Sequence, residues 1–244
     1  MDTRFWGPDG WVFLHSIIYF QDFDSGNAAI NRKNLNDMYK YYELVSKILP
    51  CKYCRKSMQK YMDTLDITKC KSGYDVKVWV YKIHNKVNNK LRRQGYCIYK
   101  NPKYDEIDEF YKNFKDDLKH NKKKCTKLLI CNNFIGSIIF NYYNYLFNCN
   151  NDIQVDELNT IYVDFFDYLL KYSNYISTDC HKKLKEYCKR NNLKELLVKD
   201  KSQKVTVKEK LNLYRWYFNL CNRFICDNKS KSDIKKFSSQ FRKY

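Results

Sequence analysis

The sequence contains no recognisable export signal and no membrane-spanning segment. The opening MDTRFWGPDGW lacks a basic region followed by an apolar core, which a secretory signal requires. The most apolar later stretch, residues 134–147, is shorter than the ~20 residues that span a bilayer and contains two asparagines. We therefore expect a soluble, cytoplasmic protein.

Residues that interrupt helices are also scarce, because the 244 residues include only 6 glycines and 3 prolines. Alanine occurs only at Ala28 and Ala29. Apolar residues make up 44% of the chain and aromatic residues 17%, which excludes a wholly disordered polymer and indicates packed, aromatic-rich interiors. The length allows one large domain or two small ones.

Acidic residues are few: 27 aspartates and glutamates stand against 46 lysines and arginines, and the formal net charge is +19. Residues 1–120 carry +7 and the remainder +12, without a run of five or six like charges. A diffuse, lysine-rich solvated surface explains this distribution better than dedicated nucleic-acid binding, so we expect no specific nucleic-acid partner.

Apolar residues recur at steps of three and four along almost the whole chain, the spacing of amphipathic helices. In the first 120 residues this pattern predicts helices over 11–19, 35–49, 50–65, 76–93 and 107–118, the first after a GPDG turn. Later stripes predict helices over 128–147, 155–172, 179–198 and 207–225, with a short last one over 232–244. The sequence thus predicts an all-α fold: a four-helix bundle with a short fifth helix in domain 1–119, and a second helical domain over 120–244.

Eleven cysteines in a chain without an export signal require an explanation, because a reducing cytosol discourages structural disulfides. Cys51 and Cys54 form a Cys-x-x-Cys pair directly after Pro50. We expect Pro50 and Cys51 in the first turn of a helix, where free backbone N–H groups, Lys52 and Arg55 lower the pKa of the Cys51 thiol. A disulfide closing so short a loop contributes little stability, so the pair is suited to redox turnover.

Two other interpretations of this pair stay open. A zinc site would need further ligands, which His84, Cys70 and Cys97 could supply, although no second Cys-x-x-Cys exists. Such a chain would be a basic, zinc-containing nucleic-acid-binding protein. A thioredoxin-like site is disfavoured, because there the pair follows a β-strand, whereas here a helical stripe precedes it.

Three motifs follow one another in the first domain: WGPDGWVFLH at 6–15, LPCKYC at 49–54 and IHNKVNNKL at 83–91. In this order and spacing they resemble the Erv/ALR family of FAD-dependent sulfhydryl oxidases, particularly its viral members. The resemblance covers residues 4–118. It implies a helical bundle that binds FAD, homodimerises and lies in the host cytoplasm or a virus particle.

The resemblance also assigns roles to individual residues. Cys51 and Cys54 match the redox-active pair, with Cys54 next to the flavin and Cys51 exchanging with incoming thiols. The residues that match cofactor contacts are Trp11, His15, Tyr19, His84, Asn85, Asn88, Lys90 and Leu91. The activity implied is disulfide formation in thiol-containing proteins, with electrons passing to FAD and then to molecular oxygen to give hydrogen peroxide. No metal is implied.

Two further cysteine pairs are candidates for the additional disulfides of that family. Cys70 and Cys97 match a structural disulfide, although Cys70 lies further upstream than the family usually places it. Cys221 and Cys226 could form a shuttle disulfide, against the alternative that the seven cysteines after residue 120 are reduced core residues. The family's Leu-Gly-Lys is replaced by Leu91-Arg92-Arg93, which keeps the basic group but loses the glycine.

Overall fold

The computed structural model describes residues 3–96, 100–120, 132–148, 154–176, 178–199 and 206–225, which form helices and no strands. The all-α prediction is confirmed over these ranges. The chain divides into two units, Gly7–Asn121 and Lys122–Tyr244, the latter grouped with Met1–Trp6. The boundary between 119 and 120 stays a prediction, because residues 121–131 lie outside the described ranges. No described helix is both long and apolar enough to cross a membrane.

The first half of the chain is built of five α-helices. In chain order they are α1 (Thr3–Phe20), α2 (Ala28–Ile48), α3 (Lys52–Thr64), α4 (Gly73–Arg93) and α5 (Tyr104–His120). A 3₁₀ turn, Ile67–Lys69, connects α3 to α4. α3 packs on α2 and on α4, and α5 packs on α4. These helices correspond to the five predicted stripes.

The GPDG segment was predicted to be a turn before the first helix, and this prediction was wrong. α1 begins at Thr3, so Pro8 lies inside the helix. Proline removes one helical hydrogen bond, but the residues after it bury a continuous apolar face, with Phe13, Ile17 and Ile18 almost inaccessible to solvent. That burial outweighs the missing hydrogen bond.

The core of this unit is held by hydrogen bonds from aromatic side chains to carbonyls as well as by apolar contact. Tyr42 Oη donates to the carbonyl of Leu14 at 2.7 Å, which ties α2 to α1. Trp79 Nε1 donates to the carbonyl of Leu65 at 2.5 Å, which ties α4 to the end of α3. Buried polar groups of large side chains need such partners, so these bonds fix where the helices meet.

The start of α4 is specified by its sequence. Ser72 and Asp75 form a capping box, with Asp75 N–H donating to Ser72 Oγ at 3.1 Å and Ser72 N–H donating to Asp75 Oδ2 at 3.0 Å. Gly73 follows the cap, where a Cβ would lie only 2.5 Å from the ring of Phe23. Glycine therefore lets the helix begin against that buried ring.

The unit that contains the C-terminal half is described by its own four α-helices. They are α6 (Asn133–Asn148), α7 (Val155–Ile176), α8 (Thr178–Arg190) and α9 (Val207–Ile225), with a 3₁₀ turn at Leu193–Leu196. The prediction of one helix over 179–198 was wrong: α8 ends at Arg190, because Asn191 Nδ2 donates back to the carbonyl of Tyr187 at 3.0 Å and Asn192 caps the 3₁₀ turn. The helix predicted over 232–244 lies outside the described residues.

A three-membered polar network closes this second unit. Tyr142 Oη donates to Asn159 Oδ1 at 2.6 Å, Asn159 Nδ2 donates to the carbonyl of Val198 at 2.8 Å, and Val198 N–H donates to Tyr142 Oη at 3.0 Å. Tyr142 and Val198 are buried, Asn159 is half-buried and every member is satisfied, so the network fixes α6, α7 and the segment after the 3₁₀ turn in one arrangement.

Candidate active site

The Cys-x-x-Cys pair lies at the N-terminus of α3. Cys51 is the N-cap residue, with extended backbone angles (φ −111°, ψ 123°), and Pro50 precedes the helix. The prediction that Pro50 and Cys51 occupy the first turn was therefore wrong. The Cys51 thiol replaces the usual serine or aspartate cap, since its Sγ accepts a hydrogen bond from Cys54 N–H at 3.4 Å. Both cysteines are half-buried free thiols.

When the reduced pair has lost one proton, the remaining proton stays on Cys54 and Cys51 is the thiolate. A hydrogen bond from the Cys54 thiol, assisted by the backbone N–H groups of Cys54 and Tyr53 and opposed by partial burial, lowers the pKa of Cys51 to about 6. The same bond, with burial, raises the pKa of Cys54. The direction for Cys51 agrees with the sequence-based expectation, but the main cause is Cys54. Arg55 acts instead on Cys54, where it and Lys90 oppose the rise.

This arrangement predicts selective alkylation of the reduced protein. The rate of modification of Cys51 by iodoacetamide should rise with pH through a midpoint near 6, because the thiolate forms there. Cys54 should react slowly over the same range, because its thiol holds the shared proton. Mass spectrometry of peptides alkylated at a series of pH values measures both rates. A Cys51 midpoint at the ordinary value for cysteine would contradict the hydrogen-bonded pair.

Lys90 connects α4 to the helix that carries the cysteines. Its Nζ donates to Ser57 Oγ at 2.7 Å, and Ser57 lies one turn after Cys54 on α3. The positive charge of Lys90 favours the thiolate of Cys54. The structure thus places this residue, which the resemblance assigned to the cofactor, beside the cysteine pair.

A cluster of two stacked ring pairs lies between α1, α4 and α5, and its two histidine rings are tilted by 50° to each other. Trp11 stacks on His84 with centroids 3.9 Å apart and planes 10° from parallel. His15 stacks on Tyr111 of α5 at 4.8 Å and 9°, and His15 Nε2 lies 3.1 Å from His84 Nδ1. The structure therefore brings His84 to Trp11 and His15, which lie one turn apart on α1 and about 70 residues earlier in the chain. Tyr111 was missed by the sequence analysis, although it lies one position after Phe110 in the amphipathic fifth helix.

Both histidines are neutral at physiological pH. Burial of His15, which is 1% exposed, and the neighbouring His84 lower the pKa of His15 to about 3. Burial lowers the pKa of His84 to about 4. Of the two facing nitrogens one must donate and the other accept, so the pair is compatible with one proton between them and not with two.

Tyr19 continues this ring cluster but is engaged by its hydroxyl. Tyr19 Oη donates to Asp108 Oδ1 at 2.7 Å, and its ring lies 5.6 Å from Tyr111. Lys77 Nζ is 4.4 Å from the Tyr19 ring centroid and 3.7 Å from Asp108, while Lys112 Nζ is 2.6 Å from Asp108. The network attaches α5 to α1 and α4.

We expect the Tyr19→Phe substitution to lower the free energy of unfolding by about 1.5 to 3 kcal/mol, because it removes a hydrogen bond to a partly buried carboxylate. Urea denaturation followed by tryptophan fluorescence measures the change. In a double-mutant cycle with Asp108→Ala, which removes the acceptor, the two effects should not add, because both variants remove the same hydrogen bond. Additive effects would show that the bond does not hold α5.

The remaining signature residues lie along α4 beside a basic cleft. Asn88 Nδ2 donates to Asn101 Oδ1 at 3.3 Å, and Asn85 and Leu91 are half-buried. A cleft of about 500 Å³ opens next to them, lined by Tyr61, Lys86, Asn89, Arg92 and Arg93. Its cationic and amide groups suit an anionic, phosphate-bearing ligand. The charges of Arg92 and Arg93 were recognised in the sequence, whereas the contribution of Tyr61 from α3 was not.

The other predicted cysteine pairs are only partly described. Cys70 is a half-buried free thiol whose pKa is raised to about 11 by burial and the nearby carboxylates of Asp75 and Asp66. Its predicted partner, Cys97, lies outside the described residues. Cys221 is a free thiol on α9, only 8% exposed, and Cys226 lies outside the described residues. Both pairings stay predictions.

The zinc interpretation receives no geometric support from the described part of the chain. There, no three His, Cys, Asp or Glu side chains are grouped so that they could hold a metal ion. His84 contacts Trp11 and His15. The ring of His84 therefore packs against side chains of α1.

Comparison with known proteins covers the first unit. Residues 8–107 match the model of the Erv1 / Alr family. The chain is 29% identical over 92 residues to the mitochondrial FAD-linked sulfhydryl oxidase ERV1 of Saccharomyces cerevisiae, which covers 38% of this chain and 46% of that protein. It is 29% identical over 99 residues to an FAD-linked sulfhydryl oxidase of African swine fever virus, which covers 39% of this chain and 77% of the viral protein. No solved structure gives a significant match.

These matches confirm the resemblance that the three motifs predicted. The matched range, residues 8–107, includes every residue of the cysteine pair, the ring cluster and α4 other than Tyr111. The alignment spans less than half of the yeast relative. The unit that contains α6–α9 lies outside the matched range.

Proposed function

We propose that this chain is an FAD-linked sulfhydryl oxidase that forms disulfide bonds in thiol-containing proteins. The observation that carries the proposal is the Cys51–Cys54 pair, held at a helix N-terminus with the pKa of Cys51 lowered to about 6. The family match and the names of the relatives support the same activity. Thiolate formation near neutral pH is what disulfide exchange requires.

The residues present fit FAD. Trp11, His84, His15 and Tyr111 form two stacked aromatic pairs, and side chains of this kind stack against a planar ring system. The cleft beside α4 offers Lys86, Arg92 and Arg93 to the diphosphate. When bound, FAD would supply a two-electron acceptor for the reduced cysteine pair, with molecular oxygen as the proposed final acceptor and hydrogen peroxide as the product.

The cysteines perform the exchange with the substrate. A substrate thiolate attacks Sγ of Cys51 in the oxidised pair, the Cys51–Cys54 bond breaks, and Cys54 leaves as a thiolate. The second substrate thiol then attacks the substrate sulfur of the mixed disulfide and releases Cys51. The substrate loses two electrons and two protons, and the pair is left reduced.

The environment of the pair stabilises each cysteine thiolate as it leaves. Lys90 and Arg55 favour negative charge on Cys54 when it leaves. In the second step Cys54 takes up a proton released by the substrate, and its thiol again donates to Cys51; the lowered pKa of Cys51 then makes it a good leaving group. His15 and His84 are both neutral, so the positive charges that act on Cys54 are those of Lys90 and Arg55.

Purified protein tests the proposal directly. It should be yellow, with a flavin absorption band that dithiothreitol bleaches under argon and that air restores with oxygen uptake and peroxide formation. A colourless protein with stoichiometric zinc would overturn it. A yellow protein that dithiothreitol does not bleach would show that the cysteine pair does not deliver electrons to the flavin.

We also propose that the chain forms a homodimer and acts in the host cytoplasm or in a virus particle. The resemblance implies a homodimer in the host cytoplasm or a virus particle, where disulfide formation needs a dedicated enzyme because the compartment is reducing. Two of the matched relatives are viral.

A further inference from the structure

The outer face of α3 presents an unneutralised basic surface beside Cys51. Lys52, Lys56 and Lys60 follow one another at intervals of four residues and are all exposed, so they form one stripe along the helix. None of the three has an acidic partner among the residues that the structure describes. We refer to these three residues as the lysine stripe.

Placing like charges at this spacing weakens a helix, and Lys52 in the first turn also opposes the helix macrodipole. The neighbourhood does not compensate for this. Asp63 is the only acidic residue between Lys47 and Asp66, and it lies at the far end of α3, where it accepts a hydrogen bond from Gln59. The lysine stripe is therefore a surface whose charge is available to another molecule.

An exposed aromatic side chain lies next to the lysine stripe. Tyr53, between the two cysteines, is 74% exposed and shares a face of α3 with Lys56 and Lys60, three and seven residues later. Tyrosine combines large contact area with few rotatable bonds, and it is enriched in protein interfaces. Lys52 and Tyr53 directly follow Cys51 in the chain, so the first charge of the lysine stripe and the exposed Tyr53 ring lie next to the half-buried Cys51.

We propose that Tyr53 and the lysine stripe form the substrate-docking surface, and that this surface selects cysteine pairs carried on acidic polypeptide segments. The inference rests on the proposed oxidase function and deepens it by naming the substrate class. Carboxylates beside the substrate cysteines pair with the lysine stripe while the apolar part of the same segment packs on Tyr53. Attraction between the two surfaces brings the substrate thiol to Cys51.

Two synthetic peptides and two charge-reversal variants test the proposal. The peptides share a cysteine pair and differ only in flanking aspartates or asparagines. With the full-length wild-type protein, kcat/KM for the aspartate peptide should exceed that for the asparagine peptide by about tenfold at low salt. This ratio should approach one in about 0.5 M salt, where screening shortens the range of the attraction.

In the Lys56→Glu/Lys60→Glu variant the ratio should fall below one, because both added carboxylates repel the aspartate peptide. The control, Lys40→Glu/Lys82→Glu, changes the net charge equally at exposed positions of α2 and α4 and should keep the wild-type ratio. An unchanged ratio in the first variant, or an equal fall in the control, would overturn the docking surface.

Binding of the same peptides with serine in place of cysteine is measured by fluorescence anisotropy and needs no turnover. The aspartate peptide should bind wild-type protein more tightly than the asparagine peptide, and the Lys56→Glu/Lys60→Glu variant should lose this preference. Such binding without any thiol oxidation would count against the oxidase and still support the docking surface. Equal binding of both peptides by an active oxidase would count against the docking surface alone.

Discussion

A Cys54→Ser variant is expected to lose dithiothreitol oxidation by at least about a thousandfold while it retains bound flavin. Serine cannot form a disulfide with Cys51, so the substrate thiolate has no Cys51–Cys54 bond to attack and the exchange cannot begin. The substitution is small and leaves Cys54 N–H free to cap α3 through Cys51 Sγ. Oxygen consumption and the flavin absorption of the purified variant measure the two properties.

Comparison with Cys54→Ala separates the two roles of this residue. The serine hydroxyl can still donate to the Cys51 thiolate, whereas alanine removes that hydrogen bond, which is the main cause of the lowered pKa of Cys51. The alkylation midpoint of Cys51 should therefore stay low in Cys54→Ser and rise in Cys54→Ala, with both variants inactive. Cys188→Ser, which changes a free cysteine of the other unit, serves as the control and should stay active. Substantial oxidation by Cys54→Ser would refute the proposed exchange.

Acidification is expected to destabilise the N-terminal unit through its buried histidines. The pKa values of His15 and His84 are lowered to about 3 and about 4, so between these values and about 6.5 the unfolded chain binds protons that the folded chain does not. The stabilisation that comes from the neutral histidines is fully present above about pH 6.5 and is lost as the pH falls. Each imidazole should remove about 2 kcal/mol from the free energy of unfolding between pH 7 and pH 5.

Urea denaturation of the flavin-free protein at a series of pH values measures this loss. Asp108 does not contribute within that window: burial raises its pKa, but hydrogen bonds from Lys112 and Tyr19 and the charge of Lys77 together outweigh burial and hold the pKa below its usual value. A His15→Gln variant should be less stable at pH 7 but show a shallower loss towards pH 5, and His84→Gln provides a second, less buried test. Equal pH dependence in all three proteins would exclude the histidine pair as the cause.

Local sequence patterns were sufficient to predict those features that a single helix determines. The spacing of apolar residues predicted each helix of the first half, and the capping box at Ser72 and Asp75 lies in the sequence itself. The prediction failed at Pro8, because tertiary burial of α1 outweighs the local preference of proline. It also failed after Arg190, where asparagine side chains end α8 although the apolar stripe continues.

The residues of the candidate site could be predicted from the sequence, because they lie in three recognisable motifs. Their order predicted the Erv1 / Alr resemblance, the cysteine pair and the rings of Trp11, His15 and His84. Contacts between motifs were not readable, since they depend on helix packing. The bond from Lys90 to Ser57 and the stacking of Tyr111 on His15 each join residues that are far apart along the chain.

By itself, the sequence determined that this protein is helical, that Cys51 and Cys54 lie at the start of a helix, and that an Erv1 / Alr-like segment surrounds them. Those features follow from periodicity and from residues at fixed local spacing. Only the tertiary structure decided which sulfur holds the proton, which charges face Cys54 and which side of α3 remains exposed to solvent. These properties depend on burial and on distances between helices, which a one-dimensional pattern does not contain.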